Sequence, residues 1–380
     1  ALVSFALSYV IWKLSTRYRL YPKIRERDVH TRPTPRLGGI AMYLGIVAAI
    51  GAGSLIPELA LVYSQPAHIW GLLGAATMIV LIGVADDIWD LDWLTQLVGQ
   101  MLAPSLPAWS GIQFLSFSLP GMVVTLATWQ SLAITIFTIV LVMNAINFID
   151  GLDGLVAGVA IIANSVFSVY IFMVTDGPSR ESDYFSLAQL ISAVLVGACI
   201  GFLPLNWHRA RLFMGDAGAL LVGLMMAAST IAVTGQIDPA ALDETVGSPR
   251  QFLPAFIPLL ILVIPLLDFG LAVFRRLRAG QSPFAADRKH LHHRLLDMGH
   301  SHLVSVLVLY AWTATVSIGA LLFLFFDTWW AALGTALGLV ACTILTIGPL
   351  SRPPRRDDTP ASEAAADGVD DLEPQKETPA

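Results

Sequence analysis

Long apolar runs, each closed at its ends by charge, Pro or Gly, alternate with short polar stretches over the first 350 residues. Eleven runs read as helices, at about 1–14, 37–55, 68–85, 93–109, 130–148, 155–175, 186–205, 216–234, 252–274, 303–326 and 328–349. Most approach the ~20 residues that a helix needs to cross a bilayer and exceed the ~10-residue alternating strands of a membrane barrel. The pattern predicts an all-α polytopic membrane protein of about eleven transmembrane helices. The first run is too short to cross and position 1 is Ala rather than Met, so the first helix is expected to be truncated, with no cleavable signal peptide. Residues 110–128 are apolar but broken by Ser, Gly and Pro, with β-branched residues near the end; they read as a short hairpin or interfacial loop. From Ser351 the chain is rich in Pro, Ala, Asp and Glu and cannot bury a core. A single transmembrane domain over 1–350 and a disordered tail over 351–380 are expected, with no internal repeat.

Composition narrows the class. Apolar residues make up 56% of the chain and charged residues only 13%, about half the ~25% with which a soluble globule clothes its surface. The net charge of −6 comes mostly from the tail, where eight acidic residues face four basic ones. The near-neutral body gives no reason to expect nucleic-acid binding. Cys199 and Cys342 both sit in apolar runs, which excludes a disulfide framework and a thiolate zinc site.

Positive residues are retained on the cytoplasmic side of a membrane, and their distribution gives an orientation. Eight Lys and Arg fall between Lys13 and Arg36, two in 206–215, six in 275–302 and four in the tail, together 20 of 22. Alternating spans put these segments on one face, expected to be cytoplasmic together with the C-terminus. The same alternation puts the acidic and histidine clusters at that face. Charge at the ends of membrane helices is costly unless used, so their gathering on one side predicts a single site.

Four segments carry the candidate chemistry. In GVADDIWDLD (83–92), Asp86 and Asp87 are neighbours about 100° apart on a helix and share a ligand only where the helix frays. A plain run of acids at a helix end is the bland alternative. NAINFIDGLDG (144–154) spaces Asn144, Asn147, Asp150 and Asp153 three apart, and Gly151 and Gly154 point to a helix break there. Amides beside carboxylates make good oxygen ligands, although interhelical ties and capping account for some of them. FMGDAG (213–218) places Asp216 between glycines where a helix begins, which lets backbone N–H groups approach a phosphate while a carboxylate holds a metal; a simple N-cap is the alternative. DRKHLHHRLLDMGH (287–300) interleaves His290, His292 and His293 with Arg288, Lys289 and Arg294. Cations in that arrangement favour a polyanion such as pyrophosphate over zinc, with a solvated basic loop as the alternative. Asp268, deep in an apolar run, is a structural counter-charge to Arg275 and Arg276 or lines the site from below.

PRLGG (35–39), GVADDIWDLD, NAINFIDGLDGL (144–155), FLPLNWHRARLFMGDAG (202–218) and SPFAADRKHLHHRLLDMGHS (282–301), in that order, resemble the motifs of the polyprenyl-phosphate N-acetylhexosamine-1-phosphate transferases, in particular the bacterial GlcNAc branch. The resemblance spans about 28–301. It implies a multi-pass enzyme of the bacterial plasma membrane with Mg²⁺ (or Mn²⁺) at a cytoplasmic site, which transfers GlcNAc-1-phosphate from UDP-GlcNAc to a polyprenyl phosphate and releases UMP. By position it implies catalytic roles for Asp86, Asp87, Asp150, Asp153 and His290, with Asp216, Asp87 and Asp150 as metal ligands. Substrate contacts fall on Arg36, Asn147, Asn206, Phe213, Arg288, His292, His293 and Arg294, with Phe213 beside the uracil and Asn206 reaching the nucleotide. Asp86 is a candidate base, and attack through a phosphoryl-aspartate is the rival route. Membrane lipids and a second copy of the chain are further candidate partners. Two departures stand out: Gln96 where relatives carry Lys, and Ala219 where the GDxGS motif has Ser. The competing readings are a phospho-MurNAc-pentapeptide transferase and, more distantly, a secondary transporter, whose polar groups would lie near the midplane and whose halves would repeat.

Overall fold

The computed structural model describes residues 1–18, 34–119, 122–174, 183–234, 262–278, 280 and 291–348. Among them the helices are α1 (Leu2–Tyr18), α2 (Gly38–Gly53), α3 (Ala60–Ser64), α4 (Pro66–Trp89), α5 (Trp93–Trp109), α6 (Thr128–Ile149), α7 (Leu155–Val174), α8 (Asp183–Asn206), α9 (Gly215–Thr234), α10 (Val263–Arg278), α11 (Leu291–Asp297), α12 (His302–Phe325) and α13 (Thr328–Ile347). Each expected run therefore meets a helix, that of 252–274 in its described part. Seven of these helices are long and apolar enough to cross a membrane, and an eighth if a bent pair counts as one span. The tail lies outside the described residues.

Two local features refine the expected pattern. Between α2 and α3 the chain bends by 98°, where Ile56 is extended ahead of Pro57 and the Tyr63 hydroxyl donates to the Ile50 carbonyl across the bend. Pro forces this break because it removes an N–H and disfavours helix at the residue before it. The 110–128 segment forms a two-stranded antiparallel hairpin, β1 (Ser116–Leu119) with β2 (Met122–Thr125), Ser116 opposite Thr125. Phe114 N–H donates to Thr135 Oγ1 at 3.0 Å, and Ser131 Oγ donates to Gln113 Oε1 at 2.9 Å, tying the hairpin to α6.

Helix α9 occupies the centre, packed by α2, α4, α6 and α8; α1 lies on α2 and α8, α5 on α4 and α6, α7 on α8 and α12, α10 on α6, and α13 on α12. Small residues permit the central crossings. A Cβ on Gly39 would fall on the Gly218 backbone and one on Gly83 on that of Ala217. Such contacts let helix backbones approach where lipid supplies no hydrophobic drive between helices. Exposed Trp70 and Trp89 stand near the two ends of α4. Their 19-residue separation, about 28 Å at 1.5 Å per residue, matches the hydrocarbon thickness that interfacial Trp residues bracket.

Candidate active site

The tip of α9 is reached through the 207–214 loop, which neighbouring segments hold in place. Phe213 N–H donates to the Pro35 carbonyl (2.8 Å), and Gly38 and Gly39 N–H donate to the Phe213 and Met214 carbonyls (2.9 Å each). Asn206 accepts from Gly154 N–H and donates to the Leu212 carbonyl, both at 3.0 Å. Asp153 accepts from Ala210 N–H at 3.1 Å and lies 3.6 Å from His208 Nδ1, while the Arg211 guanidinium stacks over Trp12 of α1 at 5.2 Å. Gly215 turns the chain into α9 at φ +68°. A Cβ there would meet both the Arg36 carbonyl and the Asp87 carboxylate, so only glycine fits.

This turn presents Asp216 to Asp87. The two carboxylates are near enough to repel, Arg36 offsets part of that charge, and the Asp216 backbone N–H donates to the Asp87 carboxylate. Asn147 of α6 donates through Nδ2 to Asp216 Oδ1 at 2.7 Å. One turn deeper, Asn144 donates to the buried Gln100 Oε1 at 2.6 Å. Three helices and the α2 entry thus converge on a pair of acids at the positive end of the α9 dipole. Asp87 Oδ2 is buried and has no hydrogen-bond partner among the described residues. A buried carboxylate oxygen left unpaired beside a second carboxylate suits a hard cation, and the surrounding donors are oxygens.

The acidic run of 83–92 divides into separate tasks. Helix α4 does not fray at the aspartate pair but continues to Trp89, closing on Asp90 in the left-handed conformation at φ +52°. Asp86 is buried with the face that includes Gly83, and Asp87 reaches Asp216. Asp92 caps α5, accepting from Thr95 N–H and Oγ1, which hold its carboxyl below the usual carboxylate range.

The structure gives the other expected positions these places. Among the described residues no three acidic, His or Cys side chains gather as a cation cage. Asp150, one of the expected ligands, ends α6, its N–H donating to the Asn147 carbonyl at 3.2 Å. Asp153 and Asn206 are buried and tie the α6–α7 turn to the 207–214 loop, Asn206 by accepting from Gly154 N–H and donating to the Leu212 carbonyl, Asp153 by accepting from Ala210 N–H. Partners 52 and 57 residues away are invisible to motif reading. Phe213 is half-buried beside Arg36. His290 and Arg288 lie outside the described residues, as do the side chains of His292 and His293; exposed Arg294 is on α11.

Helix α11 nevertheless has a definite place. Its Leu295 belongs to a buried cluster with Leu152, Leu155 and Val159, and its Leu291 lines a small apolar cleft together with Ile149, Leu155 and Asp268. The histidine segment therefore packs onto the α6–α7 turn, whose α6 side carries Asn147 to Asp216. Sequence reading did not anticipate Tyr310, whose hydroxyl donates to the Gly154 carbonyl, or the Trp12–Arg211 stack.

The fold and site define a multi-pass α-helical membrane protein with a two-carboxylate centre at one end of its bundle, the equipment of a membrane phosphoglycosyl transferase. Residues 69–234 match the family described as Glycosyl transferase family 4. The chain is 38% identical over 362 residues to a decaprenyl-phosphate N-acetylglucosaminephosphotransferase of Mycolicibacterium smegmatis, covering 93% of this chain and 87% of the relative. It is 39% identical to the enzyme of that name from Mycobacterium leprae, covering 94% and 89%. A probable undecaprenyl-phosphate N-acetylglucosaminyl 1-phosphate transferase of Bacillus subtilis is 29% identical, covering 78% and 75%. The chain belongs to this family of polyprenyl-phosphate N-acetylhexosamine-1-phosphate transferases.

Proposed function

We propose that the protein transfers GlcNAc-1-phosphate from UDP-GlcNAc to a membrane polyprenyl phosphate, giving polyprenyl-diphospho-GlcNAc and UMP. Similarity to decaprenyl-phosphate transferases over more than nine-tenths of the chain carries the reading, and the paired acids at the α9 tip supply chemistry that fits it. The gathering of Lys and Arg in the segments at this end supports a cytoplasmic site and C-terminus in a bacterial plasma membrane.

In the reaction an oxygen of the acceptor phosphate attacks the β-phosphorus of the donor; the bond to the bridging oxygen breaks and its electron pair leaves on UMP. A phosphate monoester has a second pKa of about 6, so the acceptor is largely dianionic at neutral pH and needs no base to expose its nucleophile. The main obstacle is repulsion between two anions. Asp216 and Asp87 would hold Mg²⁺, or Mn²⁺, which on binding neutralises diphosphate charge and polarises the reacting phosphorus. Two carboxylates are enough where substrate phosphates and water complete the shell. Asn147 keeps Asp216 turned inward, Phe213 flanks the uracil, and Arg36 attracts phosphate. The histidine segment, with His290, His292, His293, Arg288 and Arg294, supplies cations toward the donor diphosphate.

Purified protein supplied with UDP-[¹⁴C]GlcNAc, a polyprenyl phosphate and Mg²⁺ should move label into organic-extractable lipid and release UMP. Chelation should stop transfer and excess Mg²⁺ or Mn²⁺ restore it. Label remaining wholly in the aqueous phase, or faster incorporation from UDP-MurNAc-pentapeptide, would overturn the reading.

A further inference from the structure

The histidine segment forms a helix of seven residues, α11, far shorter than the ~12 residues at which an isolated helix becomes even marginally stable. Something outside it must hold it. At its first residue, Leu291 N–H donates to Asp268 Oδ1 of α10 at 2.9 Å, and Asp268 is only 1% exposed. At its other end Gly299 takes φ +93°, Gly299 N–H donates to the Leu296 carbonyl at 2.9 Å, and His300 N–H donates to the Leu295 carbonyl at 3.1 Å. This paired closure is the Schellman arrangement. The buried His300 then fastens the terminus to α13, its Nε2 lying 2.9 Å from the Thr346 carbonyl. A carbonyl only accepts, so Nε2 carries the proton. Trp312 Nε1–H donates to Thr346 Oγ1 at 2.9 Å and steadies that anchor. Between the two ends, Leu295 joins the buried cluster that contains Leu152 and Leu155 of the α6–α7 turn.

We infer that Asp268 and His300 are positioning residues that clamp the two ends of the histidine helix against the turn carrying Asp150 and Asp153. From the functional reading the inference takes only that α11 carries part of the substrate-binding segment. Asp268 acts on α11 through its acceptor oxygen, which takes the Leu291 N–H. This sets it apart from a counter-charge for Arg275 and Arg276, because asparagine keeps the acceptor and loses the charge. In the same way, glutamine at 300 keeps a donor for the Thr346 carbonyl and leucine does not.

The test uses the full chain in lipid nanodiscs, with backbone hydrogen exchange and transfer kinetics measured on D268L, D268N, H300L and H300Q. In D268L and H300L the amides of 291–297 should exchange on the order of tenfold faster while those of α9 and α6 stay unchanged. Their kcat should fall about 100-fold, the scale of a 1 Å misplacement, with the KM for polyprenyl phosphate moving less than about threefold. D268N and H300Q should remain near the parent in both readouts. Unchanged exchange over 291–297 in D268L and H300L would overturn the clamp, and so would D268N as impaired as D268L. If D268L does not fold, H300L and D268N decide. If the parent protein transfers no sugar phosphate, the functional reading falls, while the exchange measurement still judges the clamp.

Discussion

Helices α9 and α13 are each 20 residues long and equally apolar, yet 94% of α9 is buried inside the bundle and 11% of α13. Hydropathy does not separate them, and neither does the share of small residues; where those residues sit does, since Gly218 meets α2, Ala217 meets α4 and Gly223 meets α6. Helix α9 reads GDAGALLVGLMMAASTIAVT, rich in Gly, Ala, Ser and Thr, and accepts close neighbours on every side. Helix α13 places Trp330, Leu333, Leu337, Val340, Ile344 and Ile347 outward at helical spacing and, among the described residues, packs mainly on α12 through Gly334 and Gly338, with Thr346 reached by His300. In a membrane, small residues mark where protein meets protein. The helix surrounded by protein is also the one that can present a charge at its tip, because neighbouring helices supply Arg36, Asn147 and the Asp216 N–H contact to Asp87.

Substitutions can break or sharpen this contrast. The largest effect is expected from Asp216→Ala, which should reduce the initial rate of lipid labelling by about 1,000-fold, at the upper end for loss of one preorganised electrostatic group. Asn147→Leu removes a hydrogen bond to a charged carboxylate; transfer should fall about tenfold to 100-fold in the same assay, in line with ~1.5–3 kcal/mol for such bonds. Gly223→Leu drives a side chain into α6, where even a Cβ would sit 2.6 Å from Met143 Cα. It should destabilise the bundle by about 1–3 kcal/mol or more, read as an earlier unfolding midpoint in detergent. Leu337→Ala on the outer face of α13 should shift that midpoint by no more than about 0.5 kcal/mol and leave transfer unchanged. If Leu337→Ala proved as damaging as Gly223→Leu, the outer face of α13 would be a packed surface and the contrast would fail.

The helices were legible because charge, Pro and Gly interrupt the apolar runs, and the hairpin because Ser, Gly and Pro break its segment. The bend at Pro57 was missed because a short polar stretch between apolar runs looks like an ordinary loop. The motifs pointed to segments that meet at the tip of α9 but not to the separate contacts made within them. Asp86 and Asp87 are adjacent in sequence, and only the placement of α9 against Gly83 decides that Asp87 faces Asp216. Asp153 and Asn206 carry the chemistry of ligands, and they also make bonds to Ala210, Gly154 and Leu212 that the motifs do not announce. Long-range hydrogen bonds of this kind leave no periodic trace. Asp268 was visible as a buried charge, but its partner, the Leu291 N–H, has no side-chain signature to read.

The central claim is that Asp87 of α4 and Asp216 of α9 work as one unit, and a double-mutant cycle on initial transfer rates measures this most directly. Groups that act together are strongly non-additive. Asp87→Asn and Asp216→Asn should each cut transfer by about 100-fold or more, and the double variant should be no worse than the poorer single within about threefold. Losses that multiply in the double variant would show two independent residues and contradict the account.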